Sequence, residues 1–183
     1  MKHYLITGGA GFIGSCLIHH LFEKEKEIRI TCIDNFDPFY PAHLKELNIA
    51  GFKDNPLFSL VKIDLGKTTT QEIDNAVKFP VDVIVHLAAK AGVRPSIENP
   101  AAYQQTNVLG LQTMLDYAKE KNIKQFVFAS SSSVYGVNDH FPWKEEEQLL
   151  PISPYAMTKL AGEMLGHVYN KLYGIRFIAL RFF

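Results

Sequence analysis

Cysteine is nearly missing from this chain: its 183 residues include only Cys16 and Cys32. One lies in a helical pattern and the other in a strand pattern. Both read as small core residues, neither spacing suits a metal site, and a reducing, cytoplasmic setting fits. No metal is expected. Net charge is missing as well. Nineteen Lys and Arg balance nineteen Asp and Glu, and no basic block stands apart from the rest. That argues against nucleic acid as a partner. No apolar run reaches the length of a membrane span, so no membrane partner is expected. The N-terminus begins a strand almost at once, which argues against a signal peptide. Internal repeats and low-complexity linkers are absent too.

What is present is 47% hydrophobic and 21% charged residues, an ordinary balance for a soluble globular protein. The length suffices for one domain, 1–183, with a sizeable core. Strand-like apolar runs fall at 3–7, 28–33, 58–63, 82–87, 125–129 and 175–180, and helical patterns at 12–25, 42–50, 69–77, 100–121 and 154–173. This alternation implies an α/β fold, a parallel sheet with helices on both faces. Runs such as Val83-Ile84-Val85 and Phe126-Val127-Phe128-Ala129 suit strands buried on both sides. Two helices announce their ends. Asn99-Pro100 and Ser153-Pro154 each pair an N-cap with a first-turn proline, and Gly174 closes the last helix. Prolines and charge mark 34–41 and 136–152 as loops.

The first turn, Thr7-Gly8-Gly9-Ala10-Gly11-Phe12-Ile13-Gly14, joins a strand to a helix. Gly9, Gly11 and Gly14 fit G-x-G-x-x-G; Gly8, Gly11 and Gly14 fit G-x-x-G-x-x-G. Free N–H groups at such a helix start, with the positive dipole end, make a phosphate site. The second strand ends at Asp34, twenty residues after Gly14. An acid there can accept both adenosine ribose hydroxyls, and it favours NAD because a 2′-phosphate would meet its charge. Small or polar residues stand at each strand's carboxyl end: Thr7, Asp34, Asp64, His86, Ser130 and Arg181. Ligands of open α/β sheets lie across those ends.

Tyr155 and Lys159 stand four apart, so on a helix they share a face. A tyrosine of pKa about 10 is a poor base at neutral pH, and lowering it by about 3 units needs roughly 4 kcal/mol of differential interaction. A lysine and the positive nicotinamide ring can jointly supply it. Ser130-Ser131-Ser132-Ser133 follows the fifth strand. No histidine and acid are arranged to activate a serine nucleophile, so these serines read as groups that orient a substrate oxygen.

Taken together, Thr7 to Gly14, Asp34, His86-Leu87-Ala88-Ala89, Asn107, Ser130 to Gly136, and Tyr155 with Lys159 resemble the extended short-chain dehydrogenase/reductase family. More narrowly they resemble its NAD-dependent sugar-nucleotide epimerases and dehydratases. The resemblance implies a Rossmann-like, doubly wound fold, tightly held NAD and a nucleotide-sugar substrate. By position, Gly8, Gly11, Phe12, Ile13 and Gly14 would line the pyrophosphate. Asp34 and Asn35 would hold the adenosine ribose, and Asp64 and Leu65 would flank the adenine. Leu87, Ala88 and Ala89 would pass under the cofactor, with Asn107 and Ser130 near it. Tyr155 would be the base and Lys159 its tuner and a nicotinamide-ribose ligand. Ser131 would be the third catalytic residue, with Ser132 the near alternative on the substrate.

Dehydratases of this group usually carry Thr-Asp-Glu after the fifth strand. Here Ser131-Ser132-Ser133 stands there instead, which argues for an epimerase. The stretches Ala89 to Pro100 and Asp34 to Tyr40 look like those of UDP-glucuronate 4-epimerases. Arg94 is then placed either to position an acidic nucleotide sugar or to make a surface or dimer salt bridge. Relatives pair through helices matching 100–121 and 154–173, where Tyr103, Leu111, Met114, Leu115, Leu160, Met164 and Leu165 supply more apolar surface than one sheet face requires, so a homodimer is expected. They also continue past Phe183 into a substrate domain, so this chain reads as the cofactor-binding part, inactive by itself. A dehydratase or reductase of the same family, or a non-catalytic NAD-binding or dimerisation module, is the alternative.

Overall fold

The computed structural model describes residues 1–183. Its six strands are β1 (Lys2–Thr7), β2 (Ile28–Ile33), β3 (Phe58–Val61), β4 (Val83–His86), β5 (Gln125–Ser131) and β6 (Arg176–Phe182). All pair in parallel, in the order β3-β2-β1-β4-β5-β6. Successive side chains of a strand face opposite ways, so both faces need cover. On one face Leu5, Ile84, Phe126 and Phe128 pack with Ile73, Leu111, Met114 and Tyr169. On the other, Tyr4, Ile6, Ile30 and Val85 pack around Ile18, with Leu17 and Leu21 beside them. Leu5, Ile6, Ile18, Ile30 and Ile84 are fully buried. Each such side chain contributes roughly 1.5–3 kcal/mol. This is the expected Rossmann-like, doubly wound parallel sheet.

The helices are α1 (Phe12–Lys24), α2 (Ala42–Ala50), α3 (Thr70–Ala76), α4 (Val93–Glu98), α5 (Pro100–Tyr103), α6 (Gly110–Glu120) and α7 (Pro154–Tyr173). The expected caps form: Asn99 accepts from the Ala102 N–H, Ser153 from the Ala156 N–H, and Gly174 takes a left-handed φ of 66°.

Three elements depart from the sequence reading. Helix α4 was not expected, since its six residues carry no periodic apolar stripe. The helix expected over 100–121 is divided, with a wide π-helical turn at Gln104–Leu109 between α5 and α6. A 3-10 turn at Ser132–Tyr135 follows β5. The apolar residues expected to make a dimer face also divide. Tyr103, Leu111, Met114 and Leu115 are buried in this chain's own core, whereas Met164 is exposed together with Leu109, Val168 and Leu172. On the outer strand β6, Phe177 and Ala179 pack inward and Ile178 and Leu180 are exposed.

Candidate active site

The strand order reverses direction between β1 and β4, whose ends pair Thr7 with His86. The crevice at such a reversal is where ligands of this architecture bind. Gly8 leaves β1 at φ +70°, and a Cβ there would lie 2.7 Å from the Ala88 backbone nitrogen. A Cβ on Gly14 would lie 2.5 Å from the Gly8 carbonyl oxygen. Glycine is therefore required at both positions, to let the loop lie flat over the helix start and against β4. Gly11 is the N-cap of α1 and supplies no side-chain acceptor, so the first-turn N–H groups have no cap. Phe12 and Ile13 are exposed at its rim.

From this loop a groove runs to the end of β2. It is lined by Gly8, Gly11, Asp34, Asn35, Asp64, Leu65, Leu87, Ala88 and Ala89. The same groove takes in Asp37, Phe39, Tyr40, Lys45, Lys90 and Thr106, which sequence reasoning missed. Lys90 bonds Asp37 at 2.7 Å across the groove. Nothing in their spacing foretells this pair, because β1 intervenes between the two strands that deliver it.

Asp34 is buried and heavily used. One oxygen accepts from the Phe36 N–H at 2.8 Å and from Lys45 Nζ at 3.0 Å; the other accepts from the Ala10 N–H at 3.2 Å. A carboxylate offers about four acceptor sites, so room for about one further donor remains, where the sequence reading expects two ribose hydroxyls.

Behind the groove, His86 lies between the rings of Phe126 and Phe128. Thr7 Oγ1 accepts from the Ala88 N–H and shares a hydrogen bond of 2.9 Å with His86 Nδ1. Nε2 is buried and has no partner. Burial, with the Lys159 charge adding to it, pushes the imidazole down to about 3, so it is neutral.

The catalytic candidates sit on α7 and at the end of β5. Ser96 of α4 accepts from the Tyr155 N–H at 3.1 Å, and Ser153 caps the same turn. Four residues on, Lys159 is buried, with Nζ donating to the Ala129 carbonyl at 2.6 Å and lying 5.8 Å from the Tyr155 ring centre. Burial pushes this lysine down to about 8. Burial also raises Tyr155, opposed by a hydrogen bond with Ser131. Desolvation thus acts on both groups, raising the phenol and lowering the lysine. Ser131 caps the 3-10 turn, accepting from the Ser133 N–H.

The remaining candidates are placed differently. Asn107, in the π-helical turn, is engaged on three sides: its amide oxygen accepts from the Lys90 N–H and its nitrogen donates to Lys90 O and Thr158 Oγ1. It braces the groove wall against α7 and does not line the groove. Ser130 is buried and donates to Glu163, which also holds Arg181 through two nitrogens. Its hydroxyl is therefore occupied by protein. Ser132 is half-buried in the 3-10 turn. Arg94 is exposed on α4 with no ion-pair partner.

An uncapped helix start over a glycine loop, a flat Leu87–Ala89 floor and an acid at the β2 end fit a dinucleotide. Comparison with known proteins agrees. The UDP-glucuronate 4-epimerase of Thermodesulfobacterium geofontis is 35% identical over 185 residues, which take in 100% of this chain and 56% of the relative. The crystal structure of UDP-glucuronic acid 4-epimerase from Bacillus cereus, in complex with UDP-glucuronic acid and NAD, matches with a TM-score of 0.89 at 35% identity, over 98% of this chain and 56% of that one. A UDP-N-acetylglucosamine 4-epimerase from Methanobrevibacter ruminantium matches with a TM-score of 0.86 at 33% identity, over 98% and 54%. The chain spans about half the length of these relatives. With residues 4–183 matching its family pattern, the chain belongs to the NAD dependent epimerase/dehydratase family.

Proposed function

We propose that this chain is the NAD-binding part of a nucleotide-sugar 4-epimerase acting on UDP-glucuronate. One observation carries the reading: Tyr155, with Lys159 four residues on and near enough to Ser131 for that hydroxyl to oppose the rise of the phenol, stands at the carboxyl end of the sheet that also holds the dinucleotide groove. Residues 1–183 act as one NAD-binding unit. The glycine loop would hold the pyrophosphate, Asp34 the adenosine ribose, Asp64 and Leu65 the adenine, and Lys159 the nicotinamide ribose. When bound, NAD supplies the acceptor and donor of the C4 hydride, so no net oxidation accumulates.

Tyr155 takes the proton from the sugar 4-hydroxyl and returns it after the sugar has presented its other face. Ser131 hydrogen-bonds the same oxygen and keeps it beside the phenol. Ionising a buried phenol requires positive charge nearby, and below pH about 8 Lys159 provides an ammonium within the same pocket. The epimerase is favoured over a dehydratase because Ser131, Ser132 and Ser133 offer no acid for elimination. Arg94, exposed and unpaired, suits a sugar carboxylate.

The test uses the protein that carries this sequence. Given NAD and UDP-glucuronate, it is expected to form UDP-galacturonate without accumulating NADH. Tyr155→Phe should lower turnover at least about 100-fold, the scale of losing a general base, while NAD binding persists. Near-normal turnover in that variant would show that another group takes the proton. NAD binding with no turnover of any nucleotide sugar would favour a non-catalytic module.

A further inference from the structure

We propose that Lys45 sets the choice between NAD and NADP in this groove, by masking the charge of Asp34. The inference rests on the dinucleotide reading above and concerns its ribose end. An acid at the end of β2 is ordinarily taken to exclude NADP by repelling the 2′-phosphate. Here that acid is not bare. Lys45 reaches back from the first turn of α2 and bonds Asp34 at 3.0 Å, and both side chains are largely buried, 11% and 4% exposed. Screening by water is weak in such a place, so the ammonium cancels much of the carboxylate's field.

Phe36 strengthens the arrangement. Its φ of 56° lies in the left-handed region that a bulky residue seldom adopts. That conformation accompanies the bond from its N–H to Asp34. Its ring then collects two ammonium groups, Lys62 at 4.4 Å and Lys45 at 5.9 Å from the ring centre. The next acid outward, Asp37, is itself paired with Lys90. At the end of β2, Asp34 thus carries Lys45 directly on its carboxylate, with Lys62 over the neighbouring Phe36 ring, so its repulsion of a phosphate is offset. Asp34 selects NAD by occupying space and accepting a ribose hydroxyl, while Lys45 supplies a cation that a 2′-phosphate would use once the carboxylate is gone.

Two consequences separate this from simple repulsion. Removing Lys45 should sharpen selectivity for NAD, because the carboxylate is unmasked. Removing the Asp34 charge should admit NADP, and only while Lys45 is present. The experiment is calorimetric titration of NAD and NADP into the unaltered chain, Lys45→Met, Asp34→Asn and the double variant. Methionine keeps the apolar stem, and asparagine keeps the shape and an acceptor for the Phe36 N–H. In Lys45→Met the ratio of NAD to NADP affinity should widen by about tenfold, and in Asp34→Asn it should narrow or reverse by about tenfold or more. The double variant should lose most of that gain. NADP binding to Asp34→Asn should also weaken more steeply with salt than NAD binding.

An unchanged ratio in Lys45→Met, or a full NADP gain kept in the double variant, would overturn the proposal. Should Asp34→Asn fail to fold, the Lys45→Met ratio decides alone. If the unaltered chain binds neither dinucleotide, the NAD reading falls and this one with it. NAD binding with a ratio indifferent to Lys45 defeats this one only.

Discussion

His86 shows how one residue couples the groove floor to stability. Its ring is buried, neutral and bonded to Thr7, whose oxygen also holds the Ala88 N–H of the floor. The folded value, about 3, lies below the ordinary 6.5. The unfolded chain therefore binds a proton that the folded chain refuses. The stabilisation is fully present above pH 6.5 and is lost as the pH falls from there towards 3. At 1.36 kcal/mol for each pKa unit the ceiling is about 4–5 kcal/mol, and the fall between pH 7 and 5 is about 2 kcal/mol. Urea unfolding at pH 7 and pH 5 should show this loss. His86→Gln should start less stable, since the Thr7 bond changes, yet lose less on acidification. Equal losses in both proteins would place the acid sensitivity elsewhere. The residue types at this site were legible in the sequence; their protonation was not. Tyr155 and Lys159 could be paired by helical spacing, but burial, which raises one and lowers the other, depends on what packs over them.

At the scale of elements, the start of α7 carries the chemistry and is doubly tied. Ser153 satisfies the Ala156 N–H, and Ser96 satisfies the Tyr155 N–H while donating to Val93 O. The first bond is local and readable from Ser153-Pro154. The second comes from α4, 59 residues earlier, and has no sequence signal. Ser96→Ala would leave the Tyr155 N–H without its partner, and an unsatisfied buried donor costs about 1–3 kcal/mol. The expected result is a lower urea midpoint with an unchanged slope. In the active protein, turnover should also fall, because the base's backbone is no longer held. A variant as stable as the parent would mean that water or a neighbour replaces the bond. The π-helical turn at Gln104–Leu109 belongs to the same class of feature. Asn107 reaches both Lys90 and Thr158 from it, through long-range bonds that local propensity does not foretell.

For the whole molecule, two apolar surfaces are open. One is on the outer helices, with Met164, Val168 and Leu172; the other is the exposed side of β6, with Ile178 and Leu180. Exposed patches of this kind mark association sites. A homodimer through the helices is the expected outcome, so Met164→Asp should yield monomer at tens of micromolar in sedimentation, and Leu180→Asp should leave the dimer intact. The reverse pattern would assign pairing to the sheet, and a monomeric parent would remove the dimer altogether. The burial of Tyr103, Leu111, Met114 and Leu115 narrows the helical surface from the one their sequence spacing suggested. Spacing shows that residues share a stripe, not whether the sheet or a second copy covers it.

The sequence by itself determined the α/β alternation, the glycine turn, the helix caps and the Tyr155–Lys159 pairing. Each of these depends on neighbours within a few residues, where backbone sterics and helical periodicity act directly. It also determined that Asp34 ends the second strand. Only the tertiary structure decided that Lys45 pairs with Asp34, that Lys90 reaches Asp37 across the groove, that Asn107 and Ser130 are consumed by protein partners, and that Tyr155 and Lys159 are both desolvated. The physical reason is common to all four. Electrostatics and burial act through space, and parallel crossovers bring together residues that lie far apart along the chain.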